Sequence, residues 1–432
     1  MREAISIFWH RRDLRTEDNA GMYKALSGNQ PVLPIFIFDT NILSKLHERD
    51  ARVVFIHKEL QKLKKYYQNK GSDLRVFFDT PENAFEQLCS AFNVRSVYTN
   101  RDYEPYARQR DENMHEWFGS KGIAFIGAKD HVIFEKREIL KDNGDPYTVF
   151  TPYSKKWKNH LAADTFAPFP SENLENFHAI QPEELIKLND LGFEAFEPQF
   201  PEKNITPDLL EVYKDKRDIP SVKGTSRLSV HLRFGTMSIR SLAKKGQKHS
   251  ESWLNELIWR DFYQMIIFHF PKSIDHEFKS KYAKIPWSKN MGHFEKWTEG
   301  KTGYPMVDAG MRELNTTGFM HNRVRMVVAS FLTKHLLLDW RLGERYFAEK
   351  LLDFELASNV GGWQWAAGSG CDAAPYFRVF NPESQLKKFD PEHRYVKKWV
   401  PEYGTSSYPE PIVDHKWARQ RAIDTYKKAL SS

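Results

Sequence analysis

The stretch Gly318–Phe377 reads GFMHNRVRMVVASFLTKHLLLDWRLGERYFAEKLLDFELASNVGGWQWAAGSGCDAAPYF. Ordinary core helices are not built this way. Arg323 and Arg325 sit among apolar residues, Asp353 and Glu355 follow a few turns later, and Gly361-Gly362 precede Trp363-Gln364-Trp365. A helical period puts Asn322, Arg325 and Met326 on adjoining faces of one helix. Charged groups inside an apolar run must be paired or must face a polar ligand, because an unpaired buried charge is very costly. Two readings follow: a structural Arg–Asp bridge in a helical bundle, or a pocket for a large, planar, anionic cofactor.

Outward from this stretch, every strong segment from about Pro207 onward is helical. Trp253–Phe270 places Leu254, Ile258, Phe262 and Ile266 at intervals of four, one apolar stripe. Arg325–Leu338 and Glu344–Leu352 continue the theme, and Ala418–Ser432 reads as an amphipathic helix. Gly224-Thr225-Ser226-Arg227-Leu228-Ser229 reads as a helix start, where hydroxyls and free backbone N–H groups suit a phosphate; standing alone, it is better explained by a capped helix without a ligand. Glu256 and Arg260, four apart, read locally as a solvated ion pair.

The N-terminal part has another rhythm. Ile5–Trp9, Val32–Phe38, Leu74–Phe78 and Ser96–Tyr98 read as strands, with helical patterns such as Arg52–Asn69 between them. This alternation predicts a doubly wound parallel sheet. The Gly-rich dinucleotide fingerprint is missing after the first strand, where WHRRDLR stands instead, so hydride-transferring dehydrogenases are disfavoured. From about Lys129 to Pro201 the pattern weakens. Asn143-Gly144-Asp145-Pro146 signals a turn, and Phe166–Pro207 reads as a long connection with short helices such as Pro182–Asn189. The expected division is an α/β domain over residues 1–130, a connector over 131–205 and an all-α domain over 206–432.

Composition agrees with two domains and a large core: 432 residues, 14% aromatic, 12 tryptophans. The net charge of +7 fits a polyanionic partner such as nucleic acid. Two cysteines, Cys89 and Cys371, make no disulfide framework. MREAISIFWHRRDLR lacks a signal pattern and no apolar run reaches membrane length, so a soluble, cytoplasmic monomer is expected.

Together with TGYPMVDAGMREL (Thr302–Leu314), WLNELIWRDFY (Trp253–Tyr263) and KGTSRLSVHLRFG (Lys223–Gly235), the opening stretch resembles the flavin-binding core of the DNA photolyase and cryptochrome family. VFTPYSKKW (Val149–Trp157) resembles a family motif at the start of the connector. With weaker N-terminal similarity, the resemblance covers nearly the whole chain. It implies the family's fold, an α/β antenna-type domain followed by a helical FAD- and DNA-binding domain. It also implies noncovalent FAD, active as FADH⁻, and no metal.

By that resemblance, Tyr213, Thr225, Ser226, Arg227, Leu228 and Ser229 hold the FAD pyrophosphate and ribose region. Arg260 reaches the flavin, Asn322 borders it, and Arg325 with Asp353 forms the ion pair beside the isoalloxazine ring. A cation there favours an anionic reduced flavin. Glu355 stands where the family most often has aspartate. Asn359 matches the position facing flavin N5, where an amide cannot deliver a proton as a carboxylic acid can. Trp363, Trp340 and Trp287 match an electron path from flavin to surface.

Trp259 and Trp365 match the two walls of a pocket for a flipped-out pyrimidine dimer, whose bases need aromatic faces and polar partners. Glu256, Asn322 and Met326 match base-contacting residues and Arg323 the pocket rim. Arg217, Arg378 and Lys388 are expected phosphate contacts. The (6-4) photolyases place histidine at Asn322, and DASH proteins usually have glutamine for Met326 and tyrosine for Trp365. The resemblance is therefore greatest to class I cyclobutane pyrimidine dimer photolyases, with UV-damaged DNA as partner. A signalling cryptochrome is the alternative; Asn359 and the short C-terminal end count against it.

The antenna motif is Asn100-Arg101-Asp102-Tyr103-Glu104-Pro105-Tyr106-Ala107-Arg108. Folate-binding photolyases have an Asn-Glu pair where this chain has Tyr106-Ala107. Methenyltetrahydrofolate is therefore not expected in its usual mode, and a second, flavin-type antenna chromophore is left open.

Overall fold

β1 (Ala4–His10), β2 (Val32–Asp39), β3 (Arg75–Asp79), β4 (Asn93–Asn100) and β5 (Ala124–Ala128) form one parallel sheet in the order β3-β2-β1-β4-β5. The coordinates are a computed structural model describing residues 3–431, and the chain divides into two compact units. The first gathers the chain up to Glu135 with Leu161–Lys203 and Leu228–Gln247; the second gathers Lys136–His160, Asn204–Arg227 and the chain from Lys248 onward.

In the first unit, β2 has the sequence VLPIFIFD and is buried along its whole length. A strand covered on both faces reads as a continuous apolar run, and that run was legible. Ile5, Ile7, Trp9, Leu33, Ile35 and Phe85 pack in the main cluster on the sheet. The expected doubly wound sheet is observed. β5, with sequence AFIGA, was not foreseen; it is a short run of only five small and apolar residues, mostly half-buried. The helix expected over Pro182–Asn189 is a correction: only a short 3₁₀ turn at Asn189–Leu191 forms there. Tertiary partners take its backbone groups instead. Glu183 N–H donates to Asp73 at 3.0 Å, and the Ile186 carbonyl lies 2.8 Å from His57 Nε2.

The second unit is helical. Its core is built from the helices Pro305–Thr317, Asn322–Ser330, Trp340–Lys350 and Leu356–Ala367, with Glu251–His269 against the last of these. Gly318 ends the first at φ 68°, a left-handed turn that glycine adopts without a Cβ penalty. The Gly318 carbonyl then accepts from Leu352 N–H at 2.8 Å, which brings the segment before Arg325 beside the segment carrying Asp353. After Ser330 the chain widens into a π-helical turn, Phe331–His335, which periodicity does not foretell. The helix expected at Ala418–Ser432 forms as His415–Ser431, and Ser432 lies outside the described residues. No helix is long and apolar enough to cross a membrane among the described residues.

Candidate functional site

The Arg325 guanidinium lies 2.9 and 3.1 Å from the two Asp353 oxygens, and its Nε–H donates to the Met320 carbonyl at 2.7 Å. The bond to Met320 holds the fork in one orientation, so Asp353 meets a fixed plane of donors. This is the pair that the 318–377 stretch led us to expect.

Arg260 and Glu256 do not form the local pair that their spacing allows. Arg260 donates to Glu355 at 3.0 Å, both side chains being buried, and Glu256 pairs with Arg217. Glu355, the longer acid at its position, therefore spans two helices. Burial raises the Glu256 pKa while the Arg217 charge opposes the rise. Arg217 also lies over the ring of Tyr213, 5.3 Å from its centroid. Arg217, expected as a phosphate contact, is partly exposed and compensates the Glu256 charge.

Asn359 donates to the Glu344 carboxylate at 2.9 Å and to the Glu344 carbonyl at 3.0 Å. Both amide hydrogens are committed, which fixes the amide's orientation. Burial raises the Glu344 pKa. Sequence reasoning passed over Glu344; its only signal was an acid one turn beyond Trp340.

Trp363 and Trp340 are buried and Trp287 is partly so. The Trp363 ring packs so closely on the helix begun by Trp340 that a Cβ at Gly343 would meet it at 2.1 Å. Trp340 Nε1 points at Glu277, 3.4 Å away.

Trp259 and Trp365 sit on the helices Glu251–His269 and Leu356–Ala367, which pack together. Asn322 is exposed at the start of its helix, and Met326 lies one turn on. Arg323 pairs with Asp218 at 2.9 Å and lies over Phe389, 4.4 Å from the ring centroid. Lys388 lies over the same ring, and Arg378 is exposed beside Phe380.

The Thr225–Ser229 run differs from the simple helix start. Thr225, Ser226 and Arg227 group with the second unit, whereas Leu228 and Ser229 group with the first. The helix Ser229–Arg233 has only five residues, and Leu228 at its N-cap offers no side-chain cap. Ser226 Oγ accepts from Trp253 Nε1 at 3.4 Å. Arg227 adopts φ 52°, uncommon for a residue with a Cβ, with its guanidinium 4.4 Å from the Phe319 centroid.

In the antenna motif, Tyr106 donates its hydroxyl to Asp39 at 2.5 Å and Ala107 is buried. That tyrosine is occupied by a carboxylate of β2. Arg12 pairs with both Asp102 and Glu104, at 3.1 and 2.9 Å.

The second unit offers what an FAD would require. Arg325–Asp353 and Arg260–Glu355 are ready-made charged partners, and the buried Asn255 Oδ1, between Trp253 and Glu256, has no hydrogen-bond partner among the described residues. Buried acceptors are rarely left so, and a ligand donor would satisfy this one.

Residues 253–406 match the family model of the FAD binding domain of DNA photolyase, and residues 6–173 match that of DNA photolyase. The chain is 37% identical to the deoxyribodipyrimidine photo-lyase of a Synechococcus strain, over 98% of this chain and 96% of that one. It superposes on a class III photolyase from Agrobacterium tumefaciens with a TM-score of 0.87 at 30% identity, covering 100% and 99% of the two chains. An archaeal photolyase from Sulfolobus tokodaii, solved with two FAD molecules, gives 0.85 at 34% identity, covering 98% and 99%. On these two full-length agreements, of sequence and of fold, the chain belongs to the DNA photolyase family.

Proposed function

We propose that the protein repairs cyclobutane pyrimidine dimers in DNA, driven by light, with FAD held in the second unit. The observation that carries this reading is the joint placement of Trp259 and Glu256 on one helix and Trp365 on the helix packed against it. When bound and reduced, FAD supplies the electron that light sends to the dimer.

The rest is the work of the chain. Arg325, held by Asp353 and the Met320 carbonyl, places positive charge where the flavin ring would carry negative charge. Arg260 and Glu355 brace the facing helix. The Asn359 amide, fixed by Glu344, presents its carbonyl oxygen as a hydrogen-bond acceptor and releases no proton. Trp259 and Trp365 offer stacking faces. Glu256, its pKa raised by burial, offers a carboxyl group to the dimer's polar edge while Arg217 compensates its charge. Trp363 and Trp340 lead from the flavin-side helix to the next, for reduction of oxidised flavin. Arg323, Arg378 and Lys388 face the DNA backbone. Asn322, standing where (6-4) photolyases place histidine, favours the cyclobutane dimer over the (6-4) product.

The test is direct. FAD-loaded, reduced protein is mixed with duplexes carrying either lesion and irradiated with blue light. Loss of cyclobutane dimers with (6-4) products untouched is the expected result. Intact cyclobutane dimers under reduced, flavin-loaded protein would overturn the proposal.

A further inference from the structure

The helix Phe150–Asn159 plays no part in the account above, yet its first residue lies flat against one of the aromatic walls. The rings of Phe150 and Trp259 are parallel to within 4°, with centroids 3.7 Å apart. One face of the indole is thereby covered, so a base stacks only on the other. Phe150 is held in turn. Its N–H is one of the helix-start donors that have no partner inside the helix, and it donates to the Asp372 carboxylate at 3.0 Å. Val149, the N-cap, offers no side-chain alternative. At the far end of the same helix, Trp157 Nε1 donates to Asp261 at 3.1 Å, two residues beyond Trp259.

Asp372 belongs to the segment that leaves the Trp365 helix. Together with Trp365 and Tyr263 it lines one cleft, and the Tyr263 ring lies 5.4 Å from that of Trp259. One hydrogen bond therefore links the backing of the first wall to the segment carrying the second.

We propose that Phe150 is a positioning residue that fixes Trp259 as a stacking wall, and that Asp372 couples it to the wall at Trp365; this rests on the reading of the site as a dimer pocket. A wall already immobilised loses less freedom when a base stacks on it, so the effect falls on lesion affinity.

The experiment uses FAD-loaded protein and two duplexes, one with a single cyclobutane thymine dimer and one undamaged. Phe150→Leu is expected to weaken binding of the dimer duplex by about tenfold, within the range of one base–aromatic stack. Affinity for undamaged duplex, flavin absorbance per protein and flavin photoreduction stay as in the parent. Phe150→Tyr restores dimer affinity. Asp372→Ala weakens it in the same direction. If Phe150→Leu distinguishes the duplexes as the parent does, or loses flavin and undamaged-duplex affinity in parallel, the inference is wrong. Should that variant fail to fold, unchanged discrimination by Asp372→Ala overturns the inference, and reduced discrimination with flavin retained supports it. A parent protein without preference for the dimer duplex overturns the dimer-pocket reading itself, and this inference with it.

Discussion

Arg260 reaches across to Glu355, 3.0 Å away, although Glu256 lies one turn before it on the same helix. The two acids are thereby separated in role. Glu355 is spent on a buried bridge between helices, and Glu256, paired with Arg217, stays on the helix that carries Trp259. An exposed i,i+4 pair contributes only about 0.3–0.5 kcal/mol, so two longer-range pairs with better geometry displace it readily.

Flavin retention is expected to depend on the Arg325–Asp353 pair. Asp353→Ala leaves the guanidinium facing an apolar gap. Breaking a buried pair costs about 3–5 kcal/mol, and partial exposure of Arg325 reduces this to roughly 1–3. Absorbance near 450 nm per protein after gel filtration should fall at least several-fold. Full retention with an unchanged spectrum would show that the cofactor lies elsewhere.

Photoreduction and repair are expected to separate. Trp363→Phe should block light-driven reduction of oxidised FAD, while protein reduced chemically beforehand still repairs. Gly343→Ala gives an independent approach to the same residue: its Cβ would meet the Trp363 ring at 2.1 Å, so the ring must move and photoreduction should slow. Loss of repair in pre-reduced Trp363→Phe would contradict the separation.

Lesion recognition is expected to fail without flavin loss in Glu256→Ala and Trp365→Ala. A hydrogen bond involving a charged group contributes about 1.5–3 kcal/mol, or roughly ten- to a hundredfold in affinity. Binding of damaged duplex should also weaken steeply as salt rises, since phosphate neutralisation releases counterions. Titrations at two salt concentrations would read both effects.

Acid should destabilise the fold through two buried histidines. Burial lowers His321 to about 4 and His335 to about 3. Each binds its proton more weakly folded than unfolded, so their stabilisation is complete above the unfolded value and is lost as pH falls from there towards the folded value. By pH 5 the loss is about 2 kcal/mol per histidine. Melting temperature should drop between pH 7 and pH 5, and His335→Asn should flatten the slope. An unchanged slope in that variant would remove His335 from the account.

Folate is not expected to bind in its usual mode. Tyr106 is engaged with Asp39, and Ala107 has no polar group. Methenyltetrahydrofolate added to the purified protein should pass through gel filtration unbound. A stoichiometric complex that transfers energy to FAD would reverse this expectation.

What could be read from the chain alone is what depends on neighbours in sequence. The alternation of β1 to β4 with helices, the apolar stripe of Trp253–Phe270 and the out-of-place charges Arg325 and Asp353 all announce themselves through local period and local cost. The unforeseen features each need distant partners. Glu183 and Ile186 leave the helical state for Asp73 and His57, more than 100 residues away. The Asn359 amide finds Glu344 on the preceding helix, and Phe150 stacks on Trp259 from a segment 109 positions earlier. Periodicity tells which face of an element is apolar, but not which other element will cover it. The pairing of Arg260 with Glu355 rather than Glu256 was decided by packing, because only the folded core brings the better-buried acceptor within 3.0 Å and excludes the water that would otherwise compete for it.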